Sequence, residues 1–457
     1  MSNAATLPVP VRRPARWRTW HPLGHLGRVS RDPLAFFEEA RRLHGDAVWL
    51  RMAGADTLHL FRPDYVHHLL VAKNKQYTKT TRGYQILRTL LGLGLLTAEG
   101  KHWQRQRRIA RPAFKKGIID GFGATMVEEA ERLCDEWDRA AAAGVEVDVN
   151  KAMSALTLRV ACRTLFSHDI GPVEEVVSEG LDDMIAAFDG LVTSPLPYPW
   201  KWPLRANRTG QAAVARLHAV VDRIVAERRR TGELGDDLLG LLMGAVYEDT
   251  GEPMSDEQLR AEVLTMLLAG HETTANALTF ALYLLSQRPR VADELAQNIG
   301  EAIGDARPSF ADYGQLEPVG RVVNESLRLY PPVWTLARMA QQDDEIDGIK
   351  VPKGTMVFIS PWVLHRHPGF WADPDVFDPD RWSPERSAGR AKLAYFPFST
   401  GSRKCIGEHF ALLEARLLLA TLARRYQGHL RPGHKLELET SVTLRVANGL
   451  PMTLTRR

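Results

Sequence analysis

The chain has 457 residues, 44% of them apolar, and a net charge of +4 at pH 7. The apolar content suffices for a large core, and the charge is too mild to point to a nucleic-acid partner. Cys134, Cys162 and Cys405 are an odd set without close spacing, which excludes a disulfide framework and fits a reducing cytosol. The segment from Met1 to Trp20 carries Pro8, Pro10 and Pro14 among scattered arginines and has no apolar run, so it is neither a signal peptide nor a membrane anchor. Residues 1–24 are expected as a Pro/Arg-rich extension and residues 25–457 as a single domain, located in the cytoplasm.

Asp32-Pro33 starts a helix, with a capping side chain before Pro at the first helical position, and Gly45 ends it. Val48, Leu50 and Met52 alternate with other residues, Gly54-Ala55-Asp56 turns the chain, and Leu58 and Leu60 alternate again, as in a hairpin. From Pro63 onward most of the chain has helical spacing. Three regions break it. Tyr84 to Gly100 is apolar and carries Gly92 and Gly94. Thr193 to Pro203 sets Pro195, Pro197, Pro199 and Pro203 among Tyr198, Trp200 and Trp202. Pro331 to Pro397 has many prolines and extended pieces such as Val357-Phe358-Ile359. Ser255 and Gln258 make a capping box at the head of a long helix. Its apolar stretch, Leu264 to Leu285, contains His271, Glu272 and Asn276 and reads as a buried helix rather than a membrane span. Leu436, Leu438, Val442, Leu444 and Val446 alternate before an Asn448-Gly449 turn. There are no repeats. The expected fold is mainly α with a minor β region.

Four stretches carry chemistry. Trp103 and Arg107 are four apart and share a helix face. Ala269-Gly270-His271-Glu272-Thr273-Thr274 sets a carboxylate beside a hydroxyl in mid-helix, where Thr can bond backward to a carbonyl and loosen the turn. His271-Glu272 also begins a zinc-protease-like His-Glu-x-x-His pattern, but Ala275 stands where the second His is needed. Glu325 and Arg328, three apart, share a face just before Pro331-Pro332. Last, Phe398-Ser399-Thr400-Gly401-Ser402-Arg403-Lys404-Cys405-Ile406-Gly407 places a cysteine between two glycines, beside two cations and at the start of an apolar helix, all features that favour a thiolate. The glycines let the backbone turn sharply and approach something flat. A lone cysteine cannot hold zinc, but it can be the single protein ligand of a haem iron.

The pattern Phe-x-x-Gly-x-Arg-x-Cys-x-Gly closely resembles the haem-ligating signature of the cytochrome P450 superfamily, and the chain is identified as a member of the soluble bacterial type. The resemblance implies the cytochrome P450 fold, with haem b held between the long central helix and the helix after the cysteine loop, and with Cys405 on the iron. It gives Thr273 the role of donating a hydrogen bond to dioxygen and Glu272 that of relaying protons. Trp103, Arg107, Arg338 and Arg403 resemble the partners of the haem propionates, an anionic edge that needs cations. Ala269, Phe398 and Gly407 would also contact the haem. Glu325, Arg328 and Arg381, the last within Phe377-Asp378-Pro379-Asp380-Arg381-Trp382, resemble a structural triad, with Asp380 and Trp382 where the common form has Glu and Phe.

The implied activity is monooxygenation, placing one oxygen atom of O2 in a lipophilic substrate by hydroxylation or epoxidation. The pocket is expected along Tyr84 to Leu96, Phe188 to Trp202, Leu268, Ala269, Val333 to Leu336 and near Leu450, with Arg82 or Arg88 at the mouth. These apolar walls suit a terpenoid, fatty-acyl, polyene or polyketide compound. Arg105, Arg108, Arg111, Lys115, Lys116 and Lys404 form either a solvated face or a docking site for an acidic ferredoxin or flavodoxin, served by its reductase. No flavin or iron–sulfur motif is present, so electrons come from a separate protein. Two alternatives are a peroxide-driven peroxygenase, which needs no docking strip, and a non-catalytic haem gas or redox sensor, which leaves Glu272–Thr273 unexplained.

Overall fold

The computed structural model describes residues 14–457 apart from 195–197, 233, 236 and 249. Most of the expected extension and the middle of the proline cluster lie outside the described residues. Asp32 caps the helix Pro33–His44 by accepting from the Ala35 N–H at 2.9 Å, and Gly45 ends it at a φ of 86°. The hairpin follows as Ala47–Met52 and Ala55–Leu60. Its turn is Ala53-Gly54, both at positive φ, the geometry that matches strand twist. Ala55 and Asp56, expected in the turn, instead open the second strand.

This hairpin sits in a six-stranded sheet ordered Ala15–Arg16, Ala47–Met52, Ala55–Leu60, Met356–Ile359, Leu336–Ala340, Tyr77–Thr78. Ala15–Arg16 pairs in parallel with Ala47–Met52, so the chain joins the sheet before residue 25. Val357-Phe358-Ile359 is an interior strand, paired on both sides. Near the C-terminus, Leu438–Thr440 and Leu444–Val446 form a second hairpin whose turn is Ser441 to Thr443. Asn448-Gly449 does not close that hairpin. It leads into Pro451–Arg456, which pairs with Tyr426–Leu430.

The rest is a helical body around the helix Asp256–Ser286, which is buried on every face over most of its length. It packs on Val149–Leu165, Glu317–Leu329 and Glu408–Arg425. Ser255 caps it by accepting from the Gln258 N–H at 3.2 Å. The expected capping box is only half made. The Gln258 amide donates outward, to Leu93 O at 2.9 Å and to Glu262 at 2.8 Å. Glu262 in turn accepts from the Leu95 N–H at 2.9 Å. A Cβ on Gly94 would lie 2.2 Å from Thr265 Oγ1, so only glycine lets this loop lie against the helix. The expected break over Tyr84 to Gly100 is therefore narrower. Arg82–Leu91 is helical, and the irregular part begins at Gly92. Among the described residues no helix is long and apolar enough to cross a membrane.

Glu325, Arg328 and Arg381 come together as a buried network. Arg328 Nε and Nη2 each donate to Glu325 at 2.8 Å, and Arg381 Nε donates to it at 3.1 Å. The Trp382 indole and the Asp378 N–H complete the carboxylate's partners, both at 3.0 Å. The substituted Trp382 is thus part of the network, while Asp380 points outward, 3.5 Å from Arg321. Arg328 also ties down His365 O, Pro374 O and Val376 O. Removing the carboxylate leaves two buried guanidinium groups uncompensated, so Glu325→Ala should lower stability by about 3–5 kcal/mol in urea unfolding.

Candidate active site

The cysteine loop is shaped by two left-handed residues. Ser399 and Gly401 lie at φ values of 60° and 69°, and a Cβ on Gly401 would fall 1.9 Å from Leu70 O. The loop closes with the Cys405 N–H donating to Phe398 O at 3.0 Å, and the helix Glu408–Arg425 begins three residues later. Gly407 has an ordinary φ of −89°, so it is not needed for a turn. A Cβ there would sit 4.0 Å from Cys405 Sγ, and its lack leaves the space beside the sulfur open.

Cys405 is exposed at a cavity of about 1450 Å³, with protein packed around it on its other sides. Burial pushes its thiol pKa up, against the Gly407 N–H and the charges of Arg107 and Lys404. The sequence features favouring a thiolate are therefore outweighed by desolvation in the free thiol. Arg403 does not take part. It turns away to pair with Glu99 at 2.8 Å, to donate to Ala98 O at 3.0 Å and to stack 3.8 Å from the Trp103 ring. Direct bonding to a metal ion would override the desolvation, because a coordinating thiol is deprotonated outright.

The central helix supplies another wall of the same cavity through Leu268, Ala269, Glu272 and Thr273. The helix runs through this stretch without a break. The loosening expected there is limited to Thr273 Oγ1, which donates back to Ala269 O at 2.8 Å. Glu272 Oε1 accepts from Thr443 Oγ1 at 2.6 Å, and Oε2 is buried without a partner. Burial raises the Glu272 pKa from 4.5 to about 7, opposed by the Thr443 bond and by Arg445. Its neighbour His271 faces away, with Nε2 2.9 Å from Ser154 Oγ, and serves the packing of Val149–Leu165.

One cavity edge is lined by Lys79, Arg338 and Arg403. Arg338 is buried, donates to Ala337 O at 2.9 Å and forms no ion pair among the described residues. Lys79 donates to Leu96 O at 3.0 Å. Burial, followed by the charges of Arg338 and Arg403, drives its pKa well below the ordinary lysine value. Trp103 and Arg107 stand behind this edge, with Arg107 donating to Lys404 O at 3.0 Å and lying 5.7 Å from the Trp103 ring. Lys79 was missed by sequence reasoning, since a lone lysine after Gln76-Tyr77-Thr78 carries no pattern.

Val333, Leu336, Tyr84, Leu87, Leu96, Phe188, Phe398 and Gly407 line the cavity. Other expectations change. Arg82 lines it but is occupied, donating to Leu191 O and Ser194 O, both at 2.8 Å, whereas Arg88 is exposed outside it. Leu450 lies in the core instead, and the hairpin turn Ser441 to Thr443 takes its place. Trp200 packs toward Gly210, and Trp202 is exposed. Asp189 and Ser441 were also missed, because neither belongs to a motif.

The sequence model of the family described as Cytochrome P450 matches residues 14–449. The chain belongs to the cytochrome P450 family. It is 37% identical to cyclooctatin synthase of Streptomyces melanosporofaciens over 92% of this chain and 91% of that protein. It is 35% identical to cyclooctat-9-en-7-ol 5-monooxygenase of the same organism, over 91% and 89%. Pentalenene oxygenase of Streptomyces avermitilis is 30% identical over 95% of each. The crystal structure of the cytochrome P450DA heme domain superposes with a TM-score of 0.87 at 30% identity, covering 97% of this chain and 98% of that one.

The family implies haem, and the residues present fit it. This cytochrome P450 crowds Lys79, Arg338 and Arg403 at one edge of a mainly apolar cavity, with Glu99 as the carboxylate beside Lys79 and Arg403, a charge imbalance that an anionic cofactor edge would correct. It also presents one cysteine sulfur to that cavity. The raised Glu272 pKa has a consequence for stability. Between about pH 4.5 and 7 the folded chain holds a proton that the unfolded chain has released, so this group's contribution falls as pH rises through that window and stays lost above it. In urea unfolding the parent should lose about 3 kcal/mol more than Glu272→Gln across the window.

Proposed function

We propose that this chain is a haem b monooxygenase that oxygenates a cyclic terpenoid, receiving electrons from a separate acidic ferredoxin or flavodoxin and its reductase. The observation that carries the proposal is a mainly apolar cavity that brings together Cys405, the Glu272–Thr273 pair and a cation edge with one carboxylate beside it. The named activities of cyclooctat-9-en-7-ol 5-monooxygenase and pentalenene oxygenase support the substrate class. We take residues 25–457 as one catalytic domain.

In this reading Cys405 would hold the iron as a thiolate, Arg338, Arg403 and Lys79 would hold the propionate edge with Trp103 and Arg107 behind them, and Ala269, Phe398 and Gly407 would contact the haem. Haem, when bound, supplies reductive activation of dioxygen, with one oxygen atom going to substrate and the other to water. The chain's own groups manage protons and position. Glu272 holds a proton near neutral pH and can release it from the unpartnered Oε2. Thr273 Oγ1 must turn from Ala269 O to donate into the cavity. Leu268, Val333, Leu336 and Phe188 hold the substrate by apolar contact and exclude water. Arg111, Lys115 and Lys116 are exposed, form no ion pair among the described residues and offer a face to an acidic carrier. Arg108 is occupied by Glu248, and Lys404 by Glu408.

Reconstitution with a ferredoxin, its reductase and a terpenoid substrate tests the reading. Glu272→Gln should cut product formation about 10²-fold while electron consumption continues, and Thr273→Ala should divert electrons to peroxide. Product formation unchanged in both variants would contradict the assignment.

A further inference from the structure

A polar corner of the cavity lies apart from the cation edge and Glu272–Thr273. Asp189, near the end of the helix Glu174–Thr193, meets Ser441 in the turn of the Leu438–Thr440 and Leu444–Val446 hairpin, and both residues line the cavity. Ser441 Oγ donates to Asp189 Oδ1 at 2.6 Å. The turn is fixed around that contact. The Ser441 N–H donates to Thr443 O at 3.0 Å, and Ser441 O accepts from the Trp334 indole at 3.1 Å.

The nearest cation does not neutralise Asp189. Arg445 donates to Glu439 at 2.7 Å and lies 3.4 Å from Asp182. Asp189 forms no ion pair among the described residues, and its Oδ2 accepts no hydrogen bond from them. Burial lifts its pKa to about 6, against the Ser441 bond and the Arg445 charge, so it is ionised at neutral pH. Its spare acceptor opens on a mainly apolar cavity, so a substrate that displaces water there must supply a donor in its place. An apolar skeleton of the proposed substrate class carries its hydrogen-bond donor as a neutral hydroxyl.

We infer that Asp189, oriented by Ser441, receives a hydroxyl group of the substrate, so that the substrate is an alcohol on an apolar skeleton rather than a hydrocarbon. The inference rests on the monooxygenase reading of the same cavity. The alcohol must then be supplied by an earlier oxygenation, or by a cyclisation that ends in capture of water.

The test is a set of binding titrations of the haem-loaded protein at neutral pH, followed by the substrate-induced change in the haem spectrum. The probes are cedrol with its hydrocarbon cedrane, and dodecanol with dodecane. The parent should bind the alcohol at least about tenfold tighter than the hydrocarbon in one or both pairs, the range for a hydrogen bond to a charged acceptor. Asp189→Leu should bring the two affinities within about twofold, weakening the alcohol and tightening the hydrocarbon. Ser441→Ala, a smaller change that serves if the leucine variant does not fold, should reduce the preference several-fold. Preference for dodecanol with no binding of either cedrane-skeleton compound would uphold the hydroxyl receiver and overturn the terpenoid reading. No alcohol preference in the parent, no binding of any probe, or a preference that survives Asp189→Leu and Ser441→Ala would overturn the receiver.

Discussion

Positive charge gathered at one edge of a buried cavity is the constraint on which the rest of the site depends. Lys79, Arg338 and Arg403 come from three separate parts of the chain, with Glu99 as the carboxylate beside Lys79 and Arg403. Bringing them together is unfavourable in the low-dielectric interior. The fold sustains it by giving each cation a neutral partner: Leu96 O for Lys79, Ala337 O for Arg338, and Ala98 O with the Trp103 face for Arg403. Those partners fix where the strand Leu336–Ala340, the loop after Gly92 and the cysteine loop must lie. An anionic cofactor edge at the same place would offset the repulsion and so would couple cofactor binding to the stability of the body.

The acids around the cavity follow the opposite logic. Glu272 and Asp189 are held by single hydroxyl donors, Thr443 and Ser441, from the two ends of one hairpin turn. Each keeps one oxygen without a bond from the described residues, and burial raises both pKa values toward neutrality. A group poised in this way can exchange a proton or accept a new hydrogen bond without first breaking an ion pair. Glu325, by contrast, is saturated by Arg328, Arg381, Trp382 and the Asp378 N–H, and its surroundings are built for rigidity. A carboxylate here is poised or held rigid according to how many donors meet it.

Much of this was legible in the sequence because local chemistry and tertiary placement agreed. Asp32-Pro33, the alternating hairpin, Ser255 and the loop around Cys405 each state their own geometry within a few residues. What was not legible depends on partners far along the chain. Gln258 has the spacing of a capping box, yet the carbonyl of Leu93 and the carboxylate of Glu262 take its side chain. Lys79, Asp189 and Ser441 become significant only when separate elements enclose one cavity. The state of the free Cys405 thiol depends on distance along the chain in a similar way: its sequence neighbours are cationic, but the enclosing body desolvates it and Arg403 faces Glu99. Pattern alone also overextended the pocket to Arg88 and Leu450, one turned to solvent and the other to the core.

The central claim is that Cys405 is the sulfur ligand of a haem held in this cavity. The most direct measurement is the absorption spectrum of the dithionite-reduced, carbon-monoxide-bound protein, taken for the parent chain and for Cys405→His. The account predicts a strongly red-shifted Soret band in the parent that disappears in the variant while haem remains bound. A folded parent that takes up no haem, or one whose Soret band is unshifted and unchanged by Cys405→His, would contradict it.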